Sequence, residues 1–357
     1  MTGESHTSPE SPLVLRTSLA AAMTLGFKKG LFYRNARLHC INLLLTYVGG
    51  CSARCAYCGL SGRRPGPYSS KSFIRVQWPT YSLEEILEGI SDHREKIRRV
   101  CLSMITHGRA VADTREICRR LRSSCSVPVS LLVSPTLVGL EDLEDFRSAG
   151  ADKIGVAIDL ATPALFERYR GSGVCGPHRW ENYWRCLSQA LEVFGQGNAG
   201  AHFMVGMGEN EKEMCASMQR VRDMGGRTHL FSFFPESGSP LENGSPPSLD
   251  RYRRIQVARH LIDNRIAGVA SFSYSEDGRI EGFGTSRDEF ERIVDSGEPF
   301  RTSGCTGSDG EVACNRPFAN SRPGPEIRNY PFRPAPEDLD MIRLQLGLGR
   351  MSRMTRE

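Results

Sequence analysis

A chain of 357 residues is long enough for one large or two modest domains, and 39% hydrophobic with 24% charged residues allows a full core. A net charge of only +5 gives a nucleic-acid partner little support, and no apolar run reaches the roughly 20 residues a membrane helix needs. The twelve cysteines have no regular framework spacing, and residues 1–15 carry no Lys or Arg ahead of the apolar run 18–27, so we expect a cytoplasmic protein with no membrane association.

Residues 1–13, rich in Ser, Thr, Pro and Glu, read as disordered, and residues 15–27 as a short helix; together residues 1–35 form an N-terminal tail and helix. From residue 38 strands and helices alternate. A strand over 39–48 ends in Gly49-Gly50 and a cysteine-bearing loop, followed by a Gly/Pro/Arg-rich stretch, 61–67. Ser82 with Glu85 has capping-box spacing, and Leu83, Ile86, Leu87 and Ile90 share one helical face. Strands are predicted at 100–105, 127–133, 153–158, 199–205 and 228–234, with one more at 268–274. Helices are predicted near 110–123, 141–149, from Pro163, and at 179–194, 210–224 and 249–264. Such alternation builds parallel βαβ units, and six or seven of them predict an α/β fold of the parallel (β/α)6 partial TIM barrel type over residues 36–275. Sites in such barrels form on loops after the C-terminal strand ends. Residues 276–357, rich in Gly, Pro and Arg, break the pattern and read as an irregular extension folded over the barrel mouth. The basic stretch 343–356 reads as a solvated tail, or as a surface for an acidic protein partner.

The stretch Cys51-Ser-Ala-Arg-Cys55-Ala-Tyr57-Cys58 packs three thiols into eight residues directly after the first strand. Three readings compete. A structural zinc site wants four protein ligands, and the nearest further donors are His39, Cys40 and His93. A disulfide with a spare thiol lacks a secretory context. A three-thiolate [4Fe–4S] cluster leaves one iron free of protein ligands, open to a substrate or cofactor.

Cys-x3-Cys-x-aromatic-Cys, with Tyr57 as the aromatic, resembles the signature of the radical S-adenosylmethionine (SAM) superfamily. The resemblance implies a [4Fe–4S] cluster on Cys51, Cys55 and Cys58. SAM would bind the open iron through its amino and carboxylate groups and be cleaved to a 5′-deoxyadenosyl radical. It also implies an electron donor such as ferredoxin or flavodoxin. Further polar groups fall at predicted strand ends. Thr106-His107-Gly108 offers a backbone edge that, by the resemblance, would take the SAM amino group; His107 is otherwise an exposed loop histidine. Asp159 suits two ribose hydroxyls or, alternatively, the dipole of the following helix; Val156 to Pro163 resembles the ribose-binding strand end of biotin synthase-like members. Gly206-Met207-Gly208 would let backbone approach adenine or methionine, Arg170 would pair with the SAM carboxylate or sit solvated at a helix end, and Tyr57 would pack near adenine. His202 and His229, within apolar strands, read as satisfied core histidines.

A second cysteine set lies in the extension: Ser303-Gly-Cys305, then Cys314-Asn-Arg-Pro-Phe318. Two thiols do not complete a metal site. Cys40 is the first candidate for a third ligand, Cys101 another, and Ser303 an oxygen donor; the alternative is ordinary buried thiols. A second, auxiliary iron–sulfur cluster here would supply sulfide for C–S bond formation. With these motifs the chain resembles biotin synthase-related radical SAM proteins, and in particular components of the two-protein lipoyl synthase. That implies sulfur insertion into an octanoyl chain on a carrier protein or lipoyl domain, with a second radical SAM subunit as partner. Biotin synthase holds its second cluster with cysteines on barrel strands; here Cys101 fits one such position, whereas Ser130 and Gly200 stand where others would lie. The alternatives are a radical reaction on another small molecule, or a non-enzymatic iron–sulfur redox or metal-binding module.

Overall fold

Apolar runs of five to nine residues between amphipathic helices lay their strands side by side. The computed structural model describes residues 9–319 and 321–349. In chain order, the first half runs β1 (Val14–Thr17), α1 (Leu19–Thr24), β2 (Cys40–Leu44), β3 (Thr80–Ser82), α2 (Leu83–Asp92), β4 (Arg99–Ser103), α3 (Ala110–Ser124), β5 (Val129–Val133) and α4 (Leu140–Ser148). Then come β6 (Ala151–Asp159), α5 (Pro163–Tyr169), α6 (Trp180–Phe194), β7 (Ala199–Val205), α7 (Glu211–Asp223), β8 (Arg227–Ser232) and α8 (Leu249–Asp263). The main sheet has eight strands in the order β3-β1-β2-β4-β5-β6-β7-β8. β2, β4, β5, β6, β7 and β8 are parallel neighbours, and β1 runs antiparallel to both β2 and β3.

The helix boundaries follow local chemistry. Ser82 and Glu85 form the capping box of α2, and Asn210 with Glu213 does the same for α7. Thr162 caps α5, with Pro163 in its first turn. Gly150, at φ +108°, turns the chain from α4 into β6, a conformation that disfavours any side chain.

Three expectations change. The region 15–27 is not one helix: Val14–Thr17 is a strand, and Ser18 caps the short α1 behind it. Four residues are too few for a periodic signal, and the strand is fixed by tertiary contacts. The Arg16 side chain is buried and donates to the carbonyls of Trp78 (2.9 Å), Tyr68 (3.1 Å) and Lys71. Within the stretch expected to be disordered, Ser11 is fully buried and hydrogen-bonds Val14 and Thr46; residues 1–8 lie outside the described residues. Of 268–274, only β9 (Ser273–Tyr274) is extended, and it pairs antiparallel with β10 (Ile280–Gly282), apart from the main sheet.

Beyond β10 the chain forms α9 (Arg287–Ser296), α10 (Arg316–Ala319) and α11 (Pro336–Gln345). It does not simply cap the C-terminal strand ends. Ser303 accepts from the amide of Leu230 in β8, Asn315 donates to the carbonyl of Arg37 just before β2, and Arg316 donates to Ser103 at the end of β4. The segment thereby bridges the last parallel strand to the first. Arg343 of the basic stretch pairs with Glu291 and Asp295; residues 350–357 lie outside the described residues. Among the described residues, no helix is long and apolar enough to cross a membrane.

Candidate functional site

All six parallel strands, through their last residues or the loops that follow, contribute to one cavity of about 200 Å³, so the sheet curls around it. Its lining includes Leu44, Ser103, Leu132, Ala157, Met204 and Ser232. The cysteine loop leaves β2 at this end. Gly50, at φ +66°, makes the turn, and the Ser52 amide and hydroxyl both donate to the Thr106 carbonyl at 2.9 Å. The Ala56 amide donates to Tyr169, and Gly62 folds back onto Ala53. Gly59 admits no larger residue, since a Cβ there would lie 2.4 Å from the Ser72 carbonyl.

Cys51, Cys55 and Cys58 line this cavity, and no fourth cysteine among the described residues does. Burial pushes the Cys55 thiol up to about 12 and raises Cys58 as well, so thiolates here call for positive charge such as bound iron provides. Among the described residues, no three His, Cys, Asp or Glu side chains converge on a single metal ion. A cluster makes a looser demand, because its thiolates attach to separate irons; three thiols around a largely apolar cavity fit that group and not a compact zinc site.

Across the cavity, Asp159 ends β6 with φ +65°. One of its carboxylate oxygens accepts from the Tyr57 hydroxyl at 2.7 Å and from the Arg170 guanidinium, which also reaches the Tyr57 hydroxyl at 3.1 Å. Burial raises the Asp159 carboxyl, and Arg170 opposes that rise. Arg170 is itself buried, and its Nε has no partner. Arg170 lines the cavity, and a guanidinium there suits a ligand carboxylate, as SAM carries. Tyr57, Thr106, Asp159 and Arg170 thus meet at the cavity with the three cysteines.

The remaining sequence candidates divide between the cavity, which Thr106 and His202 line, and positions away from it. The Thr106 carbonyl is taken by Ser52, while its hydroxyl meets Ser134 at 3.1 Å. His107 stacks on Tyr47, 3.8 Å between ring centres. Gly206 and Met207 are not among the lining residues; their amides donate at 2.8 Å to the two oxygens of the buried Glu209, which pairs with Arg251. His202 and His229 meet edge to face at 5.3 Å, and burial pushes His229 down to about 3, so both rings are neutral.

The second cysteine set is more complete than the sequence indicated. Cys40 at the start of β2, Cys101 in β4 and Cys314 are buried against one another, and Cys305 packs on them. Gly304 makes this approach feasible: a Cβ there would lie 2.0 Å from the Cys314 carbonyl oxygen. The amides of Ala313 and Cys314 close the loop by donating to the Cys305 carbonyl. A hydrogen bond with Cys40, aided by Arg316 and Arg99, lowers the Cys314 thiol. Ser303 is turned away to β8 and the carbonyl of the same residue meets His229. Cys101 carried only a secondary mention in the sequence because nothing local links it to residue 314. Arg316 was not assigned at all. It is buried and lines both the main cavity and the small space beside Cys101, Cys305 and Cys314, as does His202. Its position two residues after Cys314 was the available signal.

The family model described as "Radical SAM superfamily" matches residues 45–221. Biotin synthase of Hydrogenobaculum sp. (strain Y04AAS1) is 21% identical over 238 residues, which cover 64% of this chain and 66% of that protein, just under two thirds. Among solved structures, HydG, a maturase of the [FeFe]-hydrogenase, aligns with TM-score 0.50 and 11% identity, over 68% of this chain and 53% of that one. HydG from Carboxydothermus hydrogenoformans aligns with TM-score 0.50 and 14% identity, over 84% of this chain and 75% of that one. At these identities the structural likeness concerns the fold.

Proposed function

We propose that this chain, whose residues 45–221 match the radical SAM superfamily and which is similar to a biotin synthase, is a radical SAM enzyme that inserts sulfur into an octanoyl chain on a carrier protein, as a lipoyl synthase component. The observation that carries the reading is the meeting of Cys40, Cys101, Cys305 and Cys314 beside the main cavity, separated from it by Arg316 and His202. C–S bond formation at an unactivated carbon needs a sulfur source next to the site of hydrogen removal. Four thiols suit an iron–sulfur cluster as that source. The six parallel strands around one cavity support a partial (β/α)6 barrel, with residues 1–35 leading in and residues 276–357 as the extension.

Cys51, Cys55 and Cys58 would hold a [4Fe–4S] cluster, and the chemistry it would supply there is one-electron reduction of SAM. The chain's own residues position and protect. Arg170, which lines the cavity, would face the SAM carboxylate, and Asp159 would take the ribose while its hydrogen bond fixes Tyr57 near adenine. Thr106 pins the cysteine loop through its carbonyl. Gly206 and Met207 act at one remove, holding the loop after β7 around Glu209. Phe73, Met104, Leu132, Met204 and Phe231 give the cavity an apolar wall that accommodates an alkyl chain and excludes water. The reading includes an electron donor such as ferredoxin or flavodoxin and a second radical SAM subunit.

The test is anaerobic: reconstituted protein, SAM, reductant and octanoylated carrier domain, with and without a candidate second subunit, read by mass spectrometry. Sulfur gained on the carrier is the expected result. Deoxyadenosine release without carrier modification points to another substrate. Iron bound without any SAM cleavage points to a redox or metal-binding module.

A further inference from the structure

A second cavity, of about 480 Å³, lies against the first. Three chain segments form the wall between them: Phe73 and Ile74 face the inner cavity while Arg75 and Val76 face the outer, Arg316 faces inward while Pro317 and Phe318 face outward, and Phe234 lines both. One side chain is therefore shared by the two spaces. It is flanked by guanidiniums, Arg75 at 3.9 Å and Arg328 at 5.4 Å from its ring centre.

The outer cavity holds an excess of positive charge. Arg75, Arg322 and Arg328 line it together. Arg328 is only 8% exposed, and both its Nε and Nη1 lack hydrogen-bond partners; the Nε of Arg75 lacks one too. Burial and mutual repulsion with Arg322 and Arg328 lower Arg75. The nearby acids, Glu236 and Glu326, offset only part of this charge, since one carboxylate in the lining faces three guanidiniums. Glu236 is committed to the Arg75 amide and the Ser72 hydroxyl, with Arg64 at 3.6 Å, and Glu326 is exposed on the rim. Buried guanidinium donors without acceptors are costly unless a ligand supplies the acceptor. The rest of the lining is apolar, including Leu19, Met23, Leu31 and Phe32.

We infer that the outer cavity is the entrance for the substrate and recognises a carboxylate carried with an apolar chain. Arg328, Arg75 and Arg322 hold the carboxylate, and the chain passes Phe234 into the inner cavity. The inference rests on the acyl-chain reading above for the chain's identity, and the carboxylate has two sources: the free fatty acid before it is attached, or acidic residues flanking an acylated lysine.

Titration calorimetry on the full chain, kept anaerobic, tests it with four probes: octanoate, neutral octanamide, and peptides containing Nε-octanoyl-lysine flanked by either Asp or Asn. Octanoate preferred over octanamide assigns the carboxylate to the chain end, and the Asp peptide preferred over the Asn peptide assigns it to the carrier. Either preference should be roughly tenfold or more and should weaken in high salt. Arg328→Gln should remove about tenfold in affinity for the preferred probe. Arg322→Gln, on an exposed side chain that cannot disturb the core, should remove a few-fold. Equal binding of charged and neutral probes, or no binding of any of them, overturns the inference. Arginine-dependent binding without sulfur insertion keeps this site and ends the lipoyl reading; sulfur insertion with arginine-independent affinity does the reverse.

Discussion

The two cysteine centres are built in opposite ways. Cys51, Cys55 and Cys58 come from a single eight-residue loop at the C-terminal end of β2, open to a cavity and tied down by a few backbone bonds. Cys40, Cys101, Cys305 and Cys314 come from two strands and a distant extension, and meet only where the extension crosses from β8 back to β2 and β4. A local loop makes its ligand set available through sequence spacing alone. The other set is a product of the fold, so its geometry and its stability are one property.

The largest test of that contrast removes each set. Cys51→Ala/Cys55→Ala/Cys58→Ala should abolish SAM cleavage and release about four irons per chain, with little change in thermal stability of the metal-free protein. Cys101→Ala should lose as much iron as Cys305→Ala/Cys314→Ala, measured as iron and sulfide per chain. Equal iron in Cys101→Ala and the unsubstituted protein would break the four-cysteine assignment. Next in size, Arg170→Lys keeps the charge but loses the planar edge, and should weaken SAM binding by roughly tenfold in equilibrium dialysis.

A smaller effect separates fold from ligands. Gly304→Ala removes no thiol, yet its Cβ would strike the Cys314 carbonyl at 2.0 Å. We expect a loss of roughly 1–3 kcal/mol in denaturant unfolding, together with loss of iron from the second set only. An unchanged midpoint would mean the two cysteine segments part easily. The smallest effect concerns pH. His178 Nδ1 lies within hydrogen-bond distance of the Thr136 hydroxyl (2.6 Å) and the Tyr183 hydroxyl (3.0 Å), and burial, then Arg170, pushes it down to about 2. An unfolded histidine titrates near 6.5, so below that pH the unfolded state binds the extra proton and stability falls as the medium is acidified. The slope is up to about 1.4 kcal/mol per pH unit, and His178→Asn should flatten it in urea melts between pH 7 and 5.

What the sequence disclosed follows the same division. The strand–helix alternation, the capping boxes at Ser82 and Asn210, and the first cysteine loop are set by neighbours within a few residues, and all of them were legible. β1 was not, because Val14–Thr17 is a strand only by virtue of its partners in β2 and β3. Cys101 and Arg316 were half-legible: their types were noticeable, but the register that aligns β2 with β4, and the path of residues 302–316 between β8 and β2, are long-range facts. The arginine-lined outer cavity was wholly hidden, since Arg75, Arg322 and Arg328 are ordinary charged residues until burial strips two of them of water.

The bridge that residues 302–316 make from β8 back to β2 also fixes an order of events. A chain emerging from the ribosome has all three thiols of its first cysteine loop early, and the residues that tie that loop down, Thr106 and Tyr169, follow well before the extension. Cys40 and Cys101 must then wait until some two hundred further residues have been translated before Cys305 and Cys314 can reach them. An oxidant arriving before Cys305 and Cys314 are in place would find two thiols without their companions.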